Sequence, residues 1–86
     1  MKIHLRLFGA FREMDAAGVI GLELPDASAV GDLRAVLDGY ARAHWPAYRP
    51  GLLQCSAFAS EIGILRDHEA IPADGRMAIL PPVSGG

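Results

Sequence analysis

Only one stretch of this chain repeats apolar residues at a helical spacing for long enough to cover a sheet. Between Ser28 and Pro46, the residues Val30, Leu33, Val36, Leu37, Tyr40, Ala41 and His44 recur close to every 3.6 positions and form one face. Asp32, Arg34, Asp38 and Arg42 form the other. Ser28 is the expected N-cap. Pro46 stops the helix, because its ring cannot continue the hydrogen-bond ladder. Gly39 costs about 1 kcal/mol relative to Ala inside a helix, which close packing onto a sheet would explain. Elsewhere the apolar period is two. Ile3, Leu5 and Leu7 oppose Lys2, His4 and Arg6 over 2–8, and Ile20, Leu22 and Leu24 alternate with Gly21 and Glu23 over 19–25. The intervening residues 9–18 read as a loop with room for a helical turn, so the two strands form a hairpin with a long connection. Residues 46–53 are a connection. Further strands are expected at 53–59, in a short piece within 62–76 that ends in an Asp74-Gly75 turn, and at 77–80. Strands with one long helix in so short a chain indicate the α+β class, with the helix lying across one face of a mixed sheet of four to five strands.

The bulk properties narrow the function classes. Eighty-six residues suit one domain, here 1–80 followed by a tail at 81–86. A chain of this size buries only about 60–65% of the surface its unfolded form exposes, so its stability margin is small. With 51% hydrophobic and 21% charged residues, it is neither disordered nor a coiled coil. A net charge of -2 argues against a nucleic-acid binder, which would normally be basic. No stretch approaches the roughly 18 apolar residues of a membrane span, and "MKIHLRLFG" lacks the apolar core of a signal peptide. Cys55 is the single cysteine, which excludes an internal disulfide and suits a reducing compartment. A cytoplasmic protein with no nucleic-acid or membrane partner is expected.

No internal residue set looks like an active site. His4, His44 and His68 fall on a strand, a helix end and a loop, without metal-ligand spacing, so no metal is expected. Cys55 is expected to be a small buried residue on a strand. Asp67 and Glu69 sit in a polar loop. There is no nucleophile elbow and no phosphate-cradling glycine loop. The end of the chain, "ILPPVSGG", is what stands out. With glycine at about 7% of positions, a chance terminal Gly-Gly arises in roughly one chain in two hundred, so the pair is worth treating as a signal. Pro81 and Pro82 hold the backbone extended as it leaves the last strand. Val83 and Ser84 are small, and Gly85 and Gly86 have no side chains, so the tail is slim enough to enter a narrow tunnel in another protein. An α-carboxylate is ionised at neutral pH and is a poor electrophile. Converted to an acyl-adenylate, it gains a leaving group. A sulfur nucleophile can then displace AMP and leave a thiocarboxylate.

These residues carry a resemblance. "ILPPVSGG" resembles the end of the molybdopterin synthase small subunit, the MoaD family, whose members close on Pro-Pro-Val-Ser/Thr-Gly-Gly. "LFGAFRE" (7–13) is similar to that family's first strand and loop. The resemblance implies a ubiquitin-like β-grasp fold and the role of a sulfur carrier without an active site of its own. It implies that a MoeB-like, ubiquitin-activating-like adenylyltransferase uses ATP to activate Gly86, with no cofactor held permanently by the chain. A sulfurtransferase system then supplies sulfur. The tail, Pro81, Pro82, Val83, Ser84 and Gly85, would insert into a MoaE-like large subunit, and Gly86 would donate sulfur to the dithiolene of molybdopterin. The family's docking patch maps onto Phe8, Leu80 and Ile64, with a polar contact from Arg12. Alternation alone also allows Phe8 and Leu80 to be ordinary core.

Two features stand apart from the family pattern. Where the family often has a Val-Asn turn after the third strand, this chain reads "AFASEIG" (57–63), and the connection at 45–53 is not diagnostic. A sulfur carrier for thiamin or another sulfur metabolite would share the fold and the Gly-Gly end. So would a ubiquitin-like protein modifier joined through Gly86 to target lysines. Lys2 is the single lysine, which disfavours polymeric chains but leaves single attachment open.

Overall fold

The computed structural model describes residues 1–82. The chain runs β1 (Lys2–Leu7), α1 (Ala10–Met14), β2 (Val19–Glu23), α2 (Val30–His44), α3 (Pro50–Gln54), β3 (Ala57–Ser60), β4 (Gly63–Leu65) and β5 (Arg76–Leu80). The strands form one mixed sheet in the order β2-β1-β5-β3-β4. β1 pairs antiparallel with β2 and parallel with β5, so the first and last strands lie side by side at the centre. β5 pairs antiparallel with β3, and β3 with β4.

The two periodicities meet in one core. β1 alternates exposed and buried along its length, as does β2. The inward residues Ile3, Leu5, Leu7, Ile20, Leu22, Phe58, Met77 and Ile79 join Val30, Leu33, Leu37 and Ala41 of α2 in a single buried cluster. The helix therefore covers one sheet face, and the other is left open. Phe11 of α1 and Leu53 of α3 join the same core, and Phe11 lies 6.3 Å from Trp45 between ring centroids. Each fully buried side chain of this size contributes about 1.5–3 kcal/mol, which matters in a domain with little interior.

The Asp74-Gly75 turn sets the central pairing. Gly75 has φ 68°, and a Cβ there would run into the carbonyl of Lys2. Its own carbonyl accepts the His4 N–H at 2.8 Å. Only glycine gives both the conformation and the approach, so this turn delivers β5 directly against β1.

Several local expectations change. The N-cap of α2 is Ala29, not Ser28. The Ser28 hydroxyl instead donates back to the Pro25 carbonyl at 2.6 Å. The first N–H groups of the helix are met by a neighbouring loop: Val30 donates to Glu69 O at 2.9 Å and Gly31 to Asp67 O at 2.8 Å. Asp32 reaches back to accept the Ala29 N–H at 2.9 Å. Tertiary partners thus do what a capping hydroxyl would otherwise do. The strand expected at 53–59 begins only at Ala57, because Pro50 at the first turn of α3 nucleates a short helix over 50–54. Cys55 is the exposed C-cap of that helix and not a buried strand residue. A methyl group on Gly39 would meet nothing within 4 Å, so close packing does not account for this glycine. Arg34, placed by periodicity on the solvent side of α2, is tied down. One terminal nitrogen donates to Leu53 O at 2.6 Å and Ser56 O at 3.0 Å, the other to Asp67 Oδ1 at 2.9 Å, and the guanidinium lies 5.0 Å from the Phe58 ring centroid.

Candidate functional site

The site has two parts, a tail root and an open sheet face, and β1 and β5 position both. These strands run parallel with Leu7 opposite Ile79. That pair is buried, so the next residues along, Phe8 and Leu80, turn to the open face at the same end of the sheet. Phe8 is 40% exposed and Leu80 half-buried, so neither is part of the fully buried core.

At the same end the chain leaves β5 through Pro81 and Pro82. Gly9, with φ 56°, packs against this exit so tightly that a Cβ would lie 2.6 Å from Pro81 Cγ. The missing side chain lets the turn between β1 and α1 close on the proline ring. Pro81, Pro82, Gly9, Ala10, Arg12, Glu13 and Leu52 line a groove of about 770 Å³ beside the root. Arg12 therefore lies beside the tail root. Its guanidinium lies over Gly18, 3.1 Å from where a Cβ would be. Val83, Ser84, Gly85 and Gly86, the remainder of the predicted arm and the predicted sulfur-bearing residue, lie outside the described residues.

The pairings place a row of residues across the open face. Ile64 is opposite Ala59, Ala59 opposite Ala78, Ala78 opposite Arg6, and Arg6 opposite Val19. Ile64 is 66% exposed. It sits two strands from β5 and in the row behind Leu80, away from the end of the sheet where Phe8 and Leu80 lie. The β3–β4 hairpin that holds it turns through Glu61 and Ile62, with Ser60 opposite Gly63. Gly63 takes φ 142°, and Ile62 is 91% exposed. This is how "AFASEIG" makes the turn in place of Val-Asn.

The alanines of this row leave a hollow of about 430 Å³ between taller neighbours. Arg6, Val19 and Arg76 border it, and sequence reading did not single them out. Alternation puts Arg6 and Val19 on the outer face, but the parallel pairing of first and last strands, which sets Arg76 beside His4, has no local signal. Among the described residues no three His, Cys, Asp or Glu side chains are grouped as metal ligands, and no helix is long and apolar enough to cross a membrane. The resolved electrostatic perturbations lie elsewhere, in the Asp38–Arg42–Tyr48 cluster.

The arrangement combines a five-stranded sheet, an exit of the chain packed against Gly9, and an open sheet face on which Phe8 and Val19 stand beside Arg6 and Arg76. No family model and no curated protein matches the chain. Among solved structures, the crystal structure of SAMP1 from Haloferax volcanii is similar to it, with a TM-score of 0.73 at 24% identity over the whole of both chains. The solution structure of the Haloferax volcanii HVO 2177 protein is also similar, with a TM-score of 0.68 at 24% identity, over all of this chain and 87% of that one. The mixed five-stranded sheet with its crossing helix is a ubiquitin-like β-grasp fold.

Proposed function

We propose that the chain is a ubiquitin-like carrier protein that works through activation of its C-terminal carboxylate at Gly86. The observation that supports this reading is the exit from the last strand: β5 ends at Leu80, next to the end of β1, and Gly9 packs against the Pro81 ring where the chain leaves the sheet toward the "PPVSGG" sequence. The described residues serve to hold and orient, and the chemistry belongs to partners. The carboxylate attacks the α-phosphorus of ATP and expels pyrophosphate. A nucleophile then attacks the acyl carbon of the adenylate and expels AMP.

With sulfur as the nucleophile the product is a thiocarboxylate, and the chain is a sulfur carrier. On the "PPVSGG" motif, the sulfur goes to molybdopterin through a MoaE-like large subunit, after activation by a MoeB-like enzyme and loading by a sulfurtransferase system. Delivery to thiamin or another sulfur metabolite uses the same chemistry. With a lysine amine as the nucleophile, the product is an isopeptide, and the chain is a protein modifier. The ubiquitin-like fold supports the carrier and modifier class as a whole and does not favour the molybdopterin destination, which rests on the tail motif. Such a protein would work in the cytoplasm.

The test is ATP-pyrophosphate exchange with an activating enzyme, comparing the wild type with Gly86→Trp. The wild type supports exchange, and the variant folds identically but does not. Equal exchange by the two would refute activation at Gly86. Phe8→Asp and Leu80→Asp, which leave the tail intact, should raise the KM for the carrier and spare kcat.

A further inference from the structure

The hollow on the open sheet face has a charge opposite to that of the chain. The whole protein carries -2. The hollow is bordered by two guanidinium groups, Arg6 and Arg76, and one carboxylate, Glu61. Arg76 and Glu61 are 3.4 Å apart, but both side chains are about 70% exposed. Such a pair is worth little and is readily exchanged for another partner. Among the described residues Arg6 makes no ion pair. Its guanidinium lies 6.0 Å from the Phe8 ring centroid, at the outer limit of a cation–π contact, which is worth about 0.5–1 kcal/mol at an exposed site. The floor between the two arginines is Ala59 and Ala78, and the walls are Phe8 and Val19, which are 40% and 46% exposed. Its volume of 430 Å³ falls in the range of about 300–1,000 Å³ typical of ligand sites.

We propose that this hollow receives an acidic segment of a partner protein, with one large apolar side chain on the Ala59–Ala78 floor and flanking carboxylates on Arg6 and Arg76. Phe8 is shared with the docking patch at the tail root, so the segment extends that patch toward β2 and β4. This rests on the carrier reading and deepens it: the partner is a protein that holds the domain while the tail is charged or emptied. Carboxylates are the fitting charge because arginine pairs with them in a bidentate, desolvated geometry. The attraction also speeds the encounter and makes it depend on ionic strength. A second copy of this chain fits poorly, since its net charge is negative but its matching face presents arginines of its own.

The test uses the isotope-labelled full chain, without tail activation, so its outcome is separate from that of the carrier reading. The probe is the capped peptide Asp-Leu-Phe-Asp-Glu, with Lys-Leu-Phe-Lys-Lys as control. The acidic peptide should shift the amides of Arg6, Phe8, Ala59 and Ala78 saturably, with affinity falling as salt rises. Arg6→Glu with Arg76→Glu should weaken binding at least about tenfold while leaving the remaining amide spectrum unchanged, and Arg6→Lys should recover part of it. Equal binding of the basic peptide, shifts confined to other surfaces, no saturable shift at all, or concentration-dependent shifts of the same amides without peptide would each overturn the proposal.

Discussion

Gly9 and Pro81 meet so closely that a single methyl group on the glycine would sit 2.6 Å from the proline Cγ. This contact joins the β1–α1 turn to the exit of β5, and it fixes where the tail begins. Gly9 also holds φ 56°, which an L side chain adopts only under strain. Gly9→Ala is expected to cost about 1–3 kcal/mol from backbone strain, read by chemical denaturation. It should also slow tail activation beyond what the stability loss explains, because the exit of Pro81 shifts. A variant of normal stability with unaltered activation would show that this contact does not aim the tail.

Arg34 is a second tie between distant segments. Its guanidinium satisfies two backbone carbonyls at the end of α3 and pairs with Asp67 in the loop after β4. Removing it leaves Leu53 O and Ser56 O without their donor and strips a cation from above Phe58. Arg34→Met should destabilise the domain by about 1–3 kcal/mol. Arg34→Lys should recover less than half, because an ammonium lacks the planar fork that reaches three partners at once. Full recovery by lysine would reduce the role of Arg34 to charge alone.

The Tyr48–Asp38 hydrogen bond gives a pH signature. Tyr48 Oη donates to Asp38 Oδ1 at 2.6 Å, and Arg42 Nε donates to Oδ2 at 2.9 Å. The tyrosine hydroxyl, and then the arginine, hold the Asp38 carboxyl below the usual carboxylate range. Burial, then the bond to Asp38, pushes the Tyr48 phenol above its ordinary value. A depressed carboxyl stabilises the fold above its unfolded pKa and loses that contribution as pH falls through the folded value. A raised phenol stabilises the fold below its unfolded pKa, about 10, and loses that contribution as pH rises beyond it. The stability difference between wild type and Tyr48→Phe, measured by denaturation across pH, should therefore be flat from about pH 5 to 9 and shrink at both ends. A difference that grows above pH 10 would contradict the hydrogen bond.

The parts of this molecule that obey a period were legible in its residues. The alternation of Ile3, Leu5 and Leu7, and the 3.6-residue spacing along α2, anticipated β1, α2 and the core they share through Val30, Leu33, Leu37 and Ala41, although Val36 and His44, read onto the same helix face, are exposed. What local pattern could not express was contact between distant segments. Ser28 looked like a cap, but the backbone of Asp67 and Glu69 met the helix first. Cys55 looked like a buried strand residue, but Pro50 had already started α3. The docking residues divide in the same way. Phe8 and Ile64 are exposed, Arg12 lies beside Pro81, and Arg6 and Arg76 come together only through the parallel pairing of the first and last strands.

The most direct test of the central claim is the intact mass of the protein after incubation with ATP, an activating enzyme and a sulfur source, with fragmentation of the C-terminal peptide. The expected result is one oxygen replaced by sulfur at Gly86, dependent on ATP, with the sulfur source omitted as the control. A folded, enzyme-exposed protein whose Gly86 carboxylate remains unchanged, forming neither adenylate, thiocarboxylate nor isopeptide, would contradict it.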